Sequence, residues 1–269
     1  MADAEFKNNV VILTGASKGI GQAIAYQLAD QGAWLALAAR DETQLQQVAA
    51  ECLQRGGRAI SVPTDVTKKS QCENLIRRTV KEFGRIDTLI NNAGLGMWVM
   101  LENVQDPEIL DYLVRVNYLG SAYCTFYALP YLKQSHGRIV GVASLAGKVG
   151  VPSRTGYAAS KHAMVGFFDS LRVEVSPHGV SVTMEYPDFV ASGARFRNLG
   201  ADGKPVTDAP PYAPKTMTSE TCARLIIDGA AKRKREVYTS MRGRLGQWAN
   251  LLVPGMVDRF ALKAIERGN

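Results

Sequence analysis

The chain has 269 residues, 46% of them hydrophobic and 21% charged, a balance that fits a globular fold with a substantial core and excludes disorder. Its net charge of +7 is moderately basic, and several of the cations sit together in residues 231–248, AKRKREVYTSMRGRLGQW, which read as a solvated helix end and strand flank rather than a nucleic-acid face. Cys52, Cys72, Cys124 and Cys222 form no CxxC pair and the three histidines lack ligand spacing, so neither a metal site nor a disulfide framework is indicated.

The opening MADAEFKNN has no basic and apolar leader. No apolar run reaches the roughly 18 residues of a membrane span, so a cytoplasmic protein is expected. VVILTG (10–15) reads as a strand, and Ile20, Ala23, Ile24 and Leu28 then recur at helical spacing. AWLALAA (33–39) is a second strand; DETQLQQVAAECLQRGG opens on an acidic cap and closes on glycine, as helices do. RAISVPTD, a helix from about Lys68 to Phe83, and IDTLINNAG continue the alternation. A long helical region to about Leu132, the strand GRIVGVAS, a helix carrying Tyr157 and Lys161, and the strand GVSVTMEYP follow.

Strands apolar throughout and joined by helical crossovers predict an α/β fold, a doubly wound parallel sheet covered on both faces, in a single domain over 1–269. Between 188 and 217, Gly193, Gly200, Gly203, Pro205, Pro210, Pro211 and Pro214 break any regular pattern, and the segment reads as a substrate lid loop. TSETCARLIIDGAAKR resumes as a helix capped by Thr218 or Ser219, EVYTS is a last strand, and 240–269 form a helical C-terminal extension.

Two short stretches carry chemistry. TGASKGIG (14–21) joins the first strand to the first helix, with Gly15, Gly19 and Gly21 permitting a tight turn and close approach of a pyrophosphate to the helix N-terminus. Its GxxxGxG spacing differs from the common GxGxxG, and alone it is also an ordinary structural turn. YAASK (157–161) sets a phenol and an ammonium four residues apart on one helix face, where a cation lowers the phenol pKa toward the range of a general acid or base. Such a pair also arises by chance.

With NNAG at 91–94, these motifs resemble the short-chain dehydrogenase/reductase family over roughly residues 8–190. The resemblance implies a Rossmann-type sheet. It sets Gly15, Ser17, Lys18, Ile20 and Gly21 against cofactor phosphates and ribose, and Asp65 with Val66 against adenine. Asn92, Ala93 and Gly94 would line the cofactor trough, with Pro187 and Val190 beside the nicotinamide. Asn117, Ser144, Tyr157 and Lys161 match the family's catalytic tetrad. Tyr157 would exchange the proton, Lys161 would lower its pKa and hold the ribose, Ser144 would position the substrate oxygen, and Asn117 would help a water connect Lys161 to solvent. Outside this ensemble, Ser144 reads as a turn residue and Asn117 as a helix kink or cap.

In LALAARD, Ala39 stands where an NAD site usually has an acid, Arg40 follows, and Lys18 lies in the glycine turn, so NADP(H) is preferred and NAD(H) possible. A register shifted by two would make Asp41 the ribose acid, although Asp41 also suits a helix N-cap. YPDFVAS departs from the family's Pro-Gly pattern: Asp188 replaces a small residue, either pointing away or reshaping the site, and Ser192 stands in for a threonine. Leu95, Met97, Trp98 and Met100 lie near the expected pocket mouth and favour a lipophilic alcohol or ketone (steroid-, retinoid-, terpenoid- or long-chain-like), unless they only pack the loop. In the tail, Leu245, Trp248, Leu251, Leu252, Val257 and Phe260 share an apolar face beside arginines, similar to extensions of steroid-dehydrogenase-like members. Burial on the core or a partner subunit is expected, with peripheral membrane contact the alternative. The resemblance also implies a homodimer or homotetramer. A catalytically silent NADP(H)-binding sensor or scaffold is the rival reading, against which the complete tetrad argues.

Overall fold

A computed structural model describes residues 5–191, 198–206 and 216–266. The chain runs β1 (Val10–Thr14), α1 (Gly19–Asp30), β2 (Trp34–Ala39), α2 (Glu42–Gln54), β3 (Arg58–Pro63), α3 (Lys69–Phe83) and β4 (Thr88–Asn91). It continues through α4 (Glu108–Val114), α5 (Gly120–Gln134), β5 (Arg138–Val142), α6 (Thr155–Val175), β6 (Ser181–Tyr186), β7 (Val190–Ala191) and β8 (Met217–Thr218). α7 (Ser219–Ala231), β9 (Glu236–Tyr238), α8 (Met241–Leu252) and α9 (Pro254–Glu266) complete it.

Seven parallel strands form one sheet in the order β3-β2-β1-β4-β5-β6-β9. Alternate side chains leave a strand on opposite faces. Val10 and Ile12 of β1 accordingly join a cluster with Leu75 of α3, Cys124 of α5 and Phe168 of α6. Val11 and Leu13 join the other, with Ile24 of α1, Leu45 of α2 and Ile226 of α7. Every residue of β1, β4 and β5 is buried, the signature of strands covered on both faces. Strand order reverses between β1 and β4, and that reversal opens a crevice beyond their C-terminal ends.

Local chemistry fixes the helix ends. Asp41 Oδ1 accepts from Gln44 N at 3.1 Å to cap α2, and Thr218 Oγ1 accepts from Thr221 N at 3.2 Å to cap α7. The helical region before Leu132 is not one helix: a π-helical turn over Arg115–Leu119 separates α4 from α5. The short β7 and β8 pair in parallel, Val190 with Met217. Ser192 and much of the expected lid lie outside the described residues.

The tail departs from the expectation of burial on the core. Of α8, only Gly243 is buried, and Leu245, Trp248, Leu251, Leu252 and Phe260 are all more than half exposed. Both sheet faces are already covered by α1, α2 and α7 and by α3, α5 and α6, which leaves no core surface for α8 and α9. Among the described residues, no helix is long and apolar enough to cross a membrane, and no cluster of three metal-ligating side chains occurs.

Candidate active site

The crevice begins where β1 ends. Gly15 has φ +66°, and a Cβ there would lie 2.9 Å from Ala93 Cα, so the turn needs glycine for both conformation and space. Thr14 Oγ1 accepts from the backbone N of Asn92 and of Ala93, both at 3.0 Å, and Asn92 Nδ2 donates to Thr14 O at 3.0 Å and Gly15 O at 3.2 Å. Asn92 thereby clamps the glycine turn to NNAG. Lys18, at the N-cap of α1, makes no side-chain cap bond. The first amides of α1 therefore keep capacity for an anion, in a crevice lined by Gly15, Lys18, Ile20 and Gly21.

One end of the crevice is lined by Ser17, Arg40, Asp41, Asp65 and Val66 beside Ala93 and Gly94. Asp65 Oδ1 accepts from Thr67 N at 3.0 Å and Thr67 Oγ1 at 2.8 Å. Arg40 is exposed and donates to the Tyr112 hydroxyl at 2.8 Å, while Lys18 Nζ lies 3.9 Å from Asp41 Oδ2.

The other end holds Ser144, Tyr157, Lys161, Pro187 and Val190. One turn of α6 separates Tyr157 from Lys161. Lys161 is buried, donates to Val142 O at 2.8 Å, and has its pKa brought down to about 8 by burial. Its Nζ sits 6.0 Å from the Tyr157 ring centroid. Burial raises the phenol pKa; the Ser144 hydroxyl and the Arg154 guanidinium oppose that rise. Two cations thus stand near the phenol ring, the Arg154 guanidinium at 5.7 Å and the Lys161 ammonium, which is tied to the Val142 carbonyl.

Asn117 lies in the π-helical turn, wholly buried. Its Oδ1 accepts from Leu95 N at 2.8 Å, and its Nδ2 donates to Leu95 O at 2.9 Å and Ser160 Oγ at 2.9 Å. The amide holds the backbone after NNAG directly. A Cβ on Gly94 would lie 3.1 Å from Asn117 Oδ1 and 3.5 Å from Lys161 Nζ, so glycine lets the trough approach both.

Asp188 turns toward the C-terminal extension. Its carboxylate accepts from Ser240 Oγ at 2.7 Å, from Arg242 Nη2 at 2.8 and 2.9 Å, and from Phe189 N at 3.0 Å. A Cβ on Gly243 would meet Leu145, next to Ser144, at 2.5 Å. The first turn of α8 is therefore seated against the reacting end. Of the apolar residues after NNAG, Leu95 lines the crevice and Trp98 stacks on Arg154, whereas Met97 is packed with Ile109, Leu113 and Leu199, and Met100 is exposed.

Thr14, Ser160, Arg154 and Asn198 escaped the sequence reading. Thr14 and Ser160 act across the fold and leave no local signal. Arg154, three residues before Tyr157 at the N-cap of α6, lies close to it in sequence but carries no helix-face signal.

A doubly wound sheet with a nucleotide-type crevice at its switch point and a tyrosine and lysine on a neighbouring helix defines the class, and comparison narrows it. Residues 9–200 match the profile described as short chain dehydrogenase. An Arabidopsis thaliana protein, 11-beta-hydroxysteroid dehydrogenase-like 4A, is 35% identical over 252 residues, which span 92% of this chain and 82% of that protein. The structure of a short chain dehydrogenase/reductase from Burkholderia phymatum in complex with NAD aligns with a TM-score of 0.81 at 27% identity, over 92% of this chain and 96% of that one. An alcohol dehydrogenase from the archaeon Thermococcus sibiricus, complexed with 5-hydroxy-NADP, aligns with a TM-score of 0.73 at 27% identity, over 86% and 95% of the two chains. The chain belongs to the short-chain dehydrogenase/reductase family of oxidoreductases, and within it is similar to the steroid-dehydrogenase-like members.

Proposed function

We propose that the protein is an NADP(H)-dependent oxidoreductase that interconverts a carbonyl and a secondary alcohol on a lipophilic substrate, with Tyr157 as general acid and base. The observation that carries this reading is one crevice that joins the uncapped N-terminus of α1 to the Tyr157 phenol, with Ser144 and the buried Lys161 at its side.

The residues fit a dinucleotide. Gly15 and Gly94 leave backbone open where side chains would collide, and the α1 amides suit a pyrophosphate. Ser17, Ile20 and Gly21 border that site, Asp65 and Val66 border the adenosine end, and Pro187 and Val190 border the nicotinamide end. Lys18 and Arg40 beside Ala39 favour a 2′-phosphate and hence NADP(H); of the two structural relatives, one is named with 5-hydroxy-NADP and the other with NAD. Asp41, next to Lys18, leaves NAD(H) as the lesser partner.

Bound, the dihydronicotinamide supplies a hydride. Tyr157 Oη gives a proton to the substrate oxygen in reduction and takes it back in oxidation. Burial keeps the phenol protonated at neutral pH, the form that reduction needs. Ser144 orients the substrate oxygen, Lys161 holds positive charge beneath the phenol and the cofactor ribose, and Asn117 fixes the Leu95 backbone that walls the crevice. Leu95, Trp98 and Phe189 make the substrate end apolar. The exposed apolar face of α8 and α9 supports a homo-oligomer or a peripheral membrane contact; flotation with anionic liposomes tells these apart.

Absorbance of NADPH and then NADH against a panel of lipophilic ketones and aldehydes tests the reaction, with Tyr157→Phe as the control. Nucleotide binding without turnover on any member would favour a silent binder.

A further inference from the structure

One cation at the substrate end of the crevice is held in place without being neutralised. Arg154 precedes α6, and its guanidinium carbon lies 4.5 Å from the ring centroid of Trp98, 5.7 Å from that of Tyr157 and 5.9 Å from that of Phe189. Aromatic faces attract a cation but accept no proton from its in-plane N–H groups. The three rings therefore fix the guanidinium and leave its donor fork unused. Among the described residues no ion pair or side-chain hydrogen bond engages Arg154, and its buried Nε has no acceptor. Buried donors left in this state are few in folded proteins, and a bound ligand is one way to complete them.

A neighbouring arginine supplies the contrast. Arg242 also lies over the Phe189 ring, at 5.7 Å, but the Asp188 carboxylate neutralises it at 2.8 Å. Lys161 is bound to Val142 O, and Lys18 lies at the other end of the crevice beside Asp41. Among the described residues, Arg154 is thus the cation at the reacting end whose side chain has neither an ion pair nor a hydrogen-bond acceptor.

We propose that Arg154 is a substrate-recognition residue, and that the lipophilic substrate carries a carboxylate which this guanidinium receives while Tyr157 addresses the carbonyl. The inference deepens the proposed function and rests on it for the reacting group. A carboxylate fits the planar fork in a two-point contact, and its single charge matches a single guanidinium, whereas a phosphate dianion would leave charge unmatched in an apolar setting. Leu95, Trp98 and Phe189 around the site strengthen that attraction by excluding water.

The test pairs aliphatic oxo acids, graded in the distance between ketone and carboxylate, with their methyl esters, in wild type, Arg154→Met and Arg154→Lys. The methionine keeps length and stacking on Trp98 but removes charge. For the preferred acid, kcat/KM falls about 10- to 100-fold more in Arg154→Met than for its methyl ester, mostly through KM. Arg154→Lys recovers part of the loss. Acids and esters falling together would overturn the inference, since Arg154 would then be acting through Tyr157 or the fold. A second arm needs no turnover: calorimetry of decanoate against 1-decanol with the nucleotide bound. Wild type is expected to bind decanoate at least tenfold more tightly, and Arg154→Met to lose that preference. Equal binding of the two in wild type refutes the inference even if the variant fails to fold. Arg154-dependent decanoate binding without reduction of any oxo compound would uphold the site and remove the proposed reaction instead.

Discussion

Ionisable side chains shielded from water shape how the protein responds to pH, at the reacting end through Tyr157 and Lys161 and in the sheet through Glu185. The Tyr157 phenol has its pKa raised chiefly by burial. Reduction, which uses the protonated phenol, is then expected to hold its rate through neutral pH and to decline only as pH passes the native pKa. Oxidation needs the phenolate and rises with pH, by up to about tenfold per unit. Initial rates in both directions between pH 6 and 9.5 check this, and an oxidation rate indifferent to pH would count against Tyr157 as the base. Glu185 lies in β6, fully buried, and among the described residues neither carboxylate oxygen has a hydrogen-bond partner. Burial pushes its pKa well up, with Lys234 opposing. Because the native state holds a proton that the unfolded chain releases above about pH 4.3, stability is greatest below that value and is lost as pH rises toward the native pKa. Glu185→Gln is expected to add about 1–3 kcal/mol at pH 8 and little at pH 4, read as melting temperature against pH. An equal gain at both pH values would contradict the assignment. Tyr157 and Lys161 stood out in the sequence because their spacing occurs together with the glycine turn and NNAG. Glu185 and Arg154 did not, because their meaning lies in what surrounds them after folding.

At the scale of elements, the departures from the sequence reading concentrate around the crevice. The π-helical turn that carries Asn117 is invisible to helical periodicity, since one wide turn leaves the flanking pattern almost unchanged. Asp188 breaks the family's pattern at a place where the sequence offered two readings, and the structure shows its carboxylate bound to Ser240 and Arg242. This tie seats α8 beside Leu145 and so beside Ser144. Arg242→Ala is expected to speed hydrogen exchange across residues 241–252 by several-fold while the sheet keeps its protection. The global melting point should move little, because the Arg242 side chain is more than half exposed and such ion pairs contribute less than about 1 kcal/mol. Unchanged exchange in α8 would show that Gly243 packing alone holds the helix.

Across the whole molecule, the sheet was readable because β1, β2 and β5 carry unbroken apolar runs, VVIL, WLALAA and IVGV, as strands covered on both faces do. Its parallel order and the crevice at the strand reversal follow from the crossovers between them. For the tail, an amphipathic pattern says that a face will be covered, but not by what, which is why core, partner subunit and membrane all stood open in the sequence. With six helices already closing the two clusters, Trp248, Leu252 and Phe260 remain in contact with solvent. The central claim is that this architecture exists to bring a Tyr157 proton to a substrate carbonyl beside a nicotinamide. The most direct measurement is loss of absorbance at the reduced-nicotinamide band with a lipophilic ketone, in wild type and Tyr157→Phe at matched nucleotide saturation. The account predicts turnover that favours NADPH and falls at least about 100-fold in the variant, with nucleotide binding retained. Equal turnover by the two proteins would contradict it.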